Sequence, residues 1–322
     1  MARPTIGLAL GGGAARGWAH IGVLRSLVAA GLEPDIVAGT SIGAVAGACY
    51  VTGKLAALEE FAATLTRRRI FGFLDINFAG SGLITGQRLN ARLENHLKGF
   101  SIDKLPRKFV AVATELGTGH EVWLNKGDLV TALQASFALP GIFRPVLING
   151  RWLIDGALVN PIPVSVCRAF GARIVIAANL SCDGFSKGGV IHDQEALADP
   201  RGEDDAELPG TNGRAAVHLL HRQIFGRSGA PGMSAVMMDA INITQDRIAR
   251  SRLAGDPPDI TIGPKTGHIG LFDFHRANEA MALGARAAEA QLEEIRLAVR
   301  ALSTPGMADR QAPSPPDQPV AM

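Results

Sequence analysis

The sequence predicts an α/β fold, on three observations. An apolar run, Thr5-Ile6-Gly7-Leu8-Ala9-Leu10, opens into a glycine loop and then a helical pattern. A second apolar run, Asp35-Ile36-Val37-Ala38, ends in Gly39-Thr40-Ser41-Ile42-Gly43 and turns at once into the small-residue helix Ala44–Tyr50. Buried strand-like runs then recur at Phe109–Glu115 and Ala172–Asn179, with helical spacing between them.

Taken in order, Gly11-Gly12-Gly13-Ala14-Ala15-Arg16-Gly17 follows the first strand, and Ile21, Val23, Leu24, Leu27 and Val28 repeat at helical spacing until Gly31. Strand, glycine loop and helix together suggest phosphate binding, yet both nucleotide fingerprints fail. Arg16 stands where the third glycine of a dinucleotide loop belongs, and no Gly-Lys-Ser/Thr follows. What remains is a set of backbone N–H groups near a helix N-terminus, able to hold an anionic oxygen. In acyl transfer that oxygen is the tetrahedral oxyanion.

A strand that turns sharply into a helix forces its middle residue toward positive φ, and glycines at both sides remove the side chains that would clash. Ser41 is then presented at the N-terminus of a helix, where free N–H groups and the dipole favour developing negative charge. This is the geometry of a nucleophile. The plain alternative is a small-residue turn with an ordinary cap, because Gly-x-Ser-x-Gly also arises by chance in a chain with 38 glycines.

Leu55–Leu65 reads as an amphipathic helix ending in Arg67-Arg68-Arg69, a basic cluster that suits a solvated helix end or a lipid headgroup. An aromatic-bearing loop runs from Phe71 to Gly82, and Gln87–Leu97 reads as a helix. Glu121–Leu124 pairs back on the strand Phe109–Glu115 through Gly117-Thr118-Gly119-His120. Helical spacing over Leu129–Phe137 stops at Pro140-Gly141, and Pro145–Ile148, Asn149-Gly150 and Trp152–Ile154 form a second hairpin. At its end lies Asp155-Gly156-Ala157, an acid at the tip of an apolar strand, placed either to reach into a site or to cap the next turn. After Ala172–Asn179 the composition changes. Residues 181–233 are rich in Gly, Asp and Pro, and they read as a lid or flexible insertion containing a basic amphipathic segment, Arg214–Arg227. Ala235–Leu253 is a helix, Asp259–Ile262 a last strand and Arg276–Leu302 one long helix; residues 303–322 are a disordered proline-rich tail. Residues 1–302 thus form a single domain.

Composition narrows the function. A net charge of +2 gives no concentrated basic face, which argues against nucleic acid. Cys49, Cys167 and Cys182 lie far apart, so neither a disulfide framework nor a zinc site is expected, and a reducing cytosol fits. No metal-ligand cluster has useful spacing, and no cofactor is expected. Six apolar residues after Met1-Ala2-Arg3-Pro4 are too few for a signal-peptide core, and the Ile36–Gly53 run is explained by a strand and helix rather than a membrane span. A cytoplasmic protein, in peripheral contact with membrane if its substrate is lipid, is the expectation.

With these motifs placed, the chain resembles the patatin-like phospholipase family, especially its small single-domain bacterial members. The resemblance runs from Ile6 to about Leu180 through the glycine loop, Gly-Thr-Ser-Ile-Gly, Ala135-Ser-Phe-Ala-Leu-Pro-Gly-Ile-Phe-Arg-Pro145 and Asp155-Gly-Ala. It extends to Ile241–Ile248 and Gly267–Gly270. The loop has one more residue between its glycines and Arg16 than the common Gly-Gly-Gly-x-Arg-Gly form. The resemblance implies a three-layer α/β/α fold with a mainly parallel sheet and a Ser-Asp dyad acting on phospholipid, lysophospholipid or fatty-acyl esters. Ser41 would be the nucleophile and Asp155 the general base; Gly11, Gly12, Gly13, Arg16 and Ile42 would form the oxyanion hole, supported by Gly39, Gly43 and Gly156. Arg16 would hold the loop or attract a lipid phosphate. An ordinary carboxylate is a weak base for an alcohol, which shifts the burden to the oxyanion loop. Two rival readings stand beside this one. A Ser-His-Asp triad would draw on His192, His218, His221, His268 or His275, whereas His20 reads as a structural hydrogen-bond donor. A lipid-binding or regulatory protein would keep the elbow as architecture. Oligomeric state is not readable from the sequence.

Overall fold

The computed structural model describes residues 3–66, 87–181 and 233–303. The expected basic cluster Arg67–Arg69, the Phe71–Gly82 loop, the Arg214–Arg227 segment, all but the ends of the 181–233 insertion, and residues 304–322 of the tail lie outside them.

Eight strands form one sheet: β1 (Ile6–Leu10), β2 (Ile36–Thr40), β3 (Lys108–Glu115), β4 (Glu121–Leu124), β5 (Val146–Ile148), β6 (Arg151–Asp155), β7 (Ile174–Ala178) and β8 (Ile260–Ile262). Their order is β5-β6-β3-β2-β1-β7-β8, with β4 paired to β3. The pairs β1–β2, β1–β7, β2–β3 and β7–β8 are parallel; β3–β4, β3–β6 and β5–β6 are antiparallel. At the β5–β6 hairpin, Asn149 (φ 49°) and Gly150 (φ 77°) both take positive φ, as a tight two-residue hairpin turn requires.

Side chains alternate across the sheet because successive residues of a strand point to opposite faces. Leu8 and Leu10, Val37, Phe109 and Ala111, and Ile174 and Ile176 bury one face. Ala9, Ala38, Val110, Val112, Val175 and Ala177 bury the other. The first face packs against α1 (Ala19–Ala29), α2 (Ile42–Val51), α3 (Leu55–Ala63), α4 (Gln87–Leu97), α5 (Leu129–Ser136), α8 (Ala277–Glu289) and α9 (Leu292–Ser303). The second packs against α6 (Val164–Ala169) and α7 (Met233–Gly255) through Val164, Val166, Cys167 and Ala249. The fold is a three-layer α/β/α arrangement with a mostly parallel sheet.

Two differences from the sequence reading have local causes. The expected single helix from Arg276 to Leu302 is two helices, because the chain tightens at Ala290-Gln291, where Gln291 N–H reaches back to Ala288 O at 2.9 Å. The short helix α6 carries no long apolar repeat, and only its burial marks it.

Helices α1 and α8 touch backbone to backbone. A Cβ at Gly284 would stand 1.9 Å from Ala19 O, and one at Gly22 would stand 2.0 Å from Met281 O. Replacing Gly284 by valine must therefore push the helices apart. We expect Gly284→Val to lower the unfolding free energy by roughly 1–3 kcal/mol, read from urea denaturation, while Ala282→Val on the exposed side of α8 stays within about 0.5 kcal/mol of the parent. Equal effects would show that this crossing does not hold the helices.

Candidate active site

The site is built on β3. Strand β2 ends with Thr40 opposite Val112, and β6 ends with Asp155 opposite Ala113. Because β4 occupies the other side of β3 at these residues, β2 and β6 share one side and meet end to end. Ser41 follows Thr40 directly, so the register alone brings it against Asp155. Ser41 Oγ donates a hydrogen bond of 2.7 Å to Asp155 Oδ2.

The elbow has the strain its sequence implies. Ser41 adopts φ 57° and ψ −124°, a conformation that costs on the order of 1–3 kcal/mol for a residue with a side chain. The flanking glycines make room for it: a Cβ at Gly39 would stand 2.5 Å from Ala44 Cα, and one at Gly43 would stand 2.2 Å from Leu10 O. The turn is held from outside as well. Ser41 N–H donates to Ser136 Oγ (3.0 Å), and Ser136 Oγ–H donates to Val112 O (2.7 Å). Ser136 was not singled out in the sequence, since its contact with Ser41 spans 95 residues; only the motif Ala135–Pro145 pointed to its neighbourhood.

Asp155 is buried, at 2% exposure. It makes two contacts at once: Oδ2 accepts Ser41 Oγ–H, while Oδ1 accepts Ala157 N–H at 2.8 Å in a turn. Gly156 lets this turn lie against β3, since a Cβ there would stand 2.3 Å from Val112 O. Burial raises the Asp155 carboxyl from its ordinary value of 3.8 to about 6, against the opposing pull of the Ala157 and Ser41 hydrogen bonds. It is a better base than an ordinary exposed carboxylate.

The glycine loop differs from expectation in which N–H groups are free. Gly11 N–H is bonded to Ala178 O (3.2 Å), Gly12 N–H to Pro161 O (3.0 Å) and Arg16 N–H to Gly13 O (3.1 Å). These three expected donors are occupied by contacts that hold the loop. The groups left unengaged by the described residues include Gly13 N–H and Ala14 N–H on the loop and Ile42 and Gly43 N–H at the first two positions of α2, which have no intrahelical acceptor. Arg16 is 9% exposed and its Nε donates to Ile269 O at 2.8 Å, so it ties the loop to the C-terminal part of the chain. His20 Nε2–H donates to Gly11 O (2.7 Å), and burial lowers this histidine to about 4, keeping it neutral.

No described histidine bridges serine and acid. His268 Nε2 faces Glu279 Oε1 at 2.7 Å, and His275 Nδ1 lies 3.9 Å from Asp273. His192, His218 and His221 lie outside the described residues. Among the described residues no group of three His, Cys, Asp or Glu side chains is placed to hold a metal ion. Ser41 and Asp155 open onto an apolar cavity of about 220 Å³ lined by Trp18, Ile42, Val45, Leu58, Phe137 and Phe143, among others.

A family model described as patatin-like phospholipase matches residues 8–168, the stretch containing the glycine loop, the elbow and Asp155. The chain is 31% identical over 337 residues to the uncharacterized NTE family protein Rv1063c of Mycobacterium tuberculosis, covering 91% of this chain and 93% of that protein. It is 35% identical over 186 residues to the patatin-like phospholipase domain-containing protein ZK370.4 of Caenorhabditis elegans, covering 55% of this chain and 14% of that one. Among solved structures it is similar to VipD from Legionella pneumophila, with a TM-score of 0.46, 13% identity, and coverage of 92% of this chain and 67% of that chain.

The raised Asp155 carboxyl links stability to pH. Its folded value lies above its unfolded value, so its contribution is fully present below 3.8 and is lost as pH rises through about 6. Asp155→Asn removes that loss. At pH 8 the variant should exceed the parent in unfolding free energy by about 3 kcal/mol or less, and the gap should close near pH 4. A gap that does not change with pH, measured by denaturation across this range, would mean the carboxyl is not held above its ordinary value.

Proposed function

Because the chain belongs to the patatin-like phospholipase family, we propose that it is a serine acyl hydrolase that cleaves ester-linked acyl chains of phospholipids, lysophospholipids or related lipids. The observation that carries this reading is the 2.7 Å hydrogen bond from Ser41 Oγ to the buried Asp155 carboxylate, at the edge of an apolar cavity.

In this mechanism Asp155 Oδ2 takes the Ser41 proton as Oγ attacks the ester carbonyl carbon. The carbonyl oxygen becomes an oxyanion facing Gly13, Ala14 and Ile42 N–H, with the N-terminus of α2 adding its dipole. Collapse of the tetrahedral species expels the alcohol, which receives the proton from Asp155. Water then attacks the acyl-enzyme with Asp155 again as base, releasing the fatty acid and restoring Ser41. The carboxyl value of about 6 supports this role, because a general base works best near the operating pH. No described helix is long and apolar enough to cross a membrane, so a lipid substrate reaches the site by peripheral contact or as a dispersed molecule. Action in the cytosol belongs to the same reading.

Hydrolysis of p-nitrophenyl esters by the parent, with turnover lost in folded Ser41→Ala and Asp155→Asn, is the expected result. His268→Ala and His275→Ala should each retain most of the activity. The kcat/KM profile should fall below about pH 6 as Asp155 takes up its proton. Activity lost with either histidine in a folded variant would favour a triad. No turnover by folded parent, together with tight phospholipid binding, would favour a binding protein.

A further inference from the structure

The cavity in front of Ser41 has a direction. Ile42, Val45 and Cys49 lie at spacings of three and four along α2, so they form one stripe of that helix, and all three line the cavity. The apolar space therefore follows α2 away from the nucleophile. At the far end of that helix the lining changes character, for exposed Lys54 stands there, its N–H bonded to Cys49 O. Among the described residues no acid other than Asp155 lines it.

Its length and volume can be compared with an alkyl chain independently. From Ser41 to Cys49 is eight residues, which at a rise of 1.5 Å per residue is about 12 Å. An extended chain advances about 1.2 Å per bond, since the three backbone bonds of a residue span about 3.5 Å. About ten carbons thus bring the chain end to Cys49. The volume of about 220 Å³ is many times the roughly 10–15 Å³ that one water-sized group needs by the same measure, so it leaves room for a chain of that length.

We propose that this cavity is an acyl-chain channel measured out by α2, with Cys49 as the residue that sets its usable length, so that the preferred substrates are esters of medium-chain acids of up to roughly ten carbons. This rests on the hydrolase reading and specifies its substrate class. Each methylene buried between Ile42 and Cys49 leaves water for an apolar wall, and each is worth about fourfold in binding. Beyond Cys49 the apolar stripe of α2 ends at Lys54, and the gain stops. Cys49 is 4% exposed and its thiol is pushed up to about 12 by burial, so it acts as a small apolar wall and not as a nucleophile.

The test is a series of p-nitrophenyl esters from acetate to palmitate. The parent should show kcat/KM rising from butyrate to decanoate and flattening or falling beyond it. Cys49→Phe should lower decanoate turnover roughly tenfold or more and leave butyrate unchanged; Val45→Phe should move the optimum to still shorter chains. Cys49→Ala, which carries little risk to folding, should move it one or two carbons longer. Equal losses on butyrate and decanoate, or a profile that none of the variants shifts, would overturn the channel while leaving the hydrolase reading intact. If folded parent hydrolyses no ester, the hydrolase reading fails, and binding of decanoate and butyrate tests the channel directly. Weakened decanoate binding in Cys49→Phe would support it, and unchanged binding would overturn it.

Discussion

Everything at this site depends on β3 acting as a common template for two strand ends. A parallel strand from one part of the chain and an antiparallel strand from another stop at its adjacent residues Val112 and Ala113. The residue beyond one end is Ser41, and the last residue of the other is Asp155. Side-chain threonines reinforce both ends: Thr40 Oγ1 donates to Asn160 O at 2.9 Å and Thr114 Oγ1 to Asp155 O at 2.8 Å. A one-residue slip of either strand would turn its side chains to the opposite face and separate the pair. The hydrogen bond between Ser41 and Asp155 is thus fixed by sheet register, with no flexible loop between them.

The electrostatics follow from where that register places the carboxyl. Burial pushes the Asp155 carboxyl up, whereas two donated hydrogen bonds pull it down, and the balance stands at about 6. The fold thus carries a destabilised ionised acid at neutral pH. His20 illustrates the opposite choice. It is wholly buried, kept neutral, and spends its one N–H on the carbonyl that begins the glycine loop.

How far the sequence reveals this molecule depends on the range of the interaction concerned. Strands, helices and the Asn149-Gly150 turn were legible because they arise from neighbours within a few residues. The elbow was legible because Gly39 and Gly43 are the local requirement of positive φ at Ser41. Asp155 could be seen as an acid at a strand tip, but its second role needed the β3–β6 register. Ser136 gave no signal of its own, because a serine inside a helical pattern looks like any other. The assignment of oxyanion donors failed at Gly11 and Gly12 for a similar reason. A row of glycines shows that backbone approaches something closely, yet it does not say which N–H groups are already bonded to Ala178 and Pro161. The cavity is wholly non-local, drawn from α2, α3, α4, the segment after α5 and Phe272 and Phe274.

The ties between the glycine loop and the far end of the chain have a consequence for how the protein comes into being. Arg16 bonds to Ile269 across 253 residues, Ala15 N–H bonds to Leu271 O, and Trp18 stacks edge-on against Phe274. A chain emerging from the ribosome presents Ser41 and Asp155 well before any of these partners exists. Contacts so distant in sequence carry a large loop-closure cost and slow folding. A fragment ending at residue 168 would keep the serine and the acid, but it would lack β7, which flanks β1, and every one of these anchors of the loop. The glycine loop beside Ser41 is therefore fully anchored only once residues 269–274 have been made and folded back onto it, which makes docking of that segment the step that completes the site.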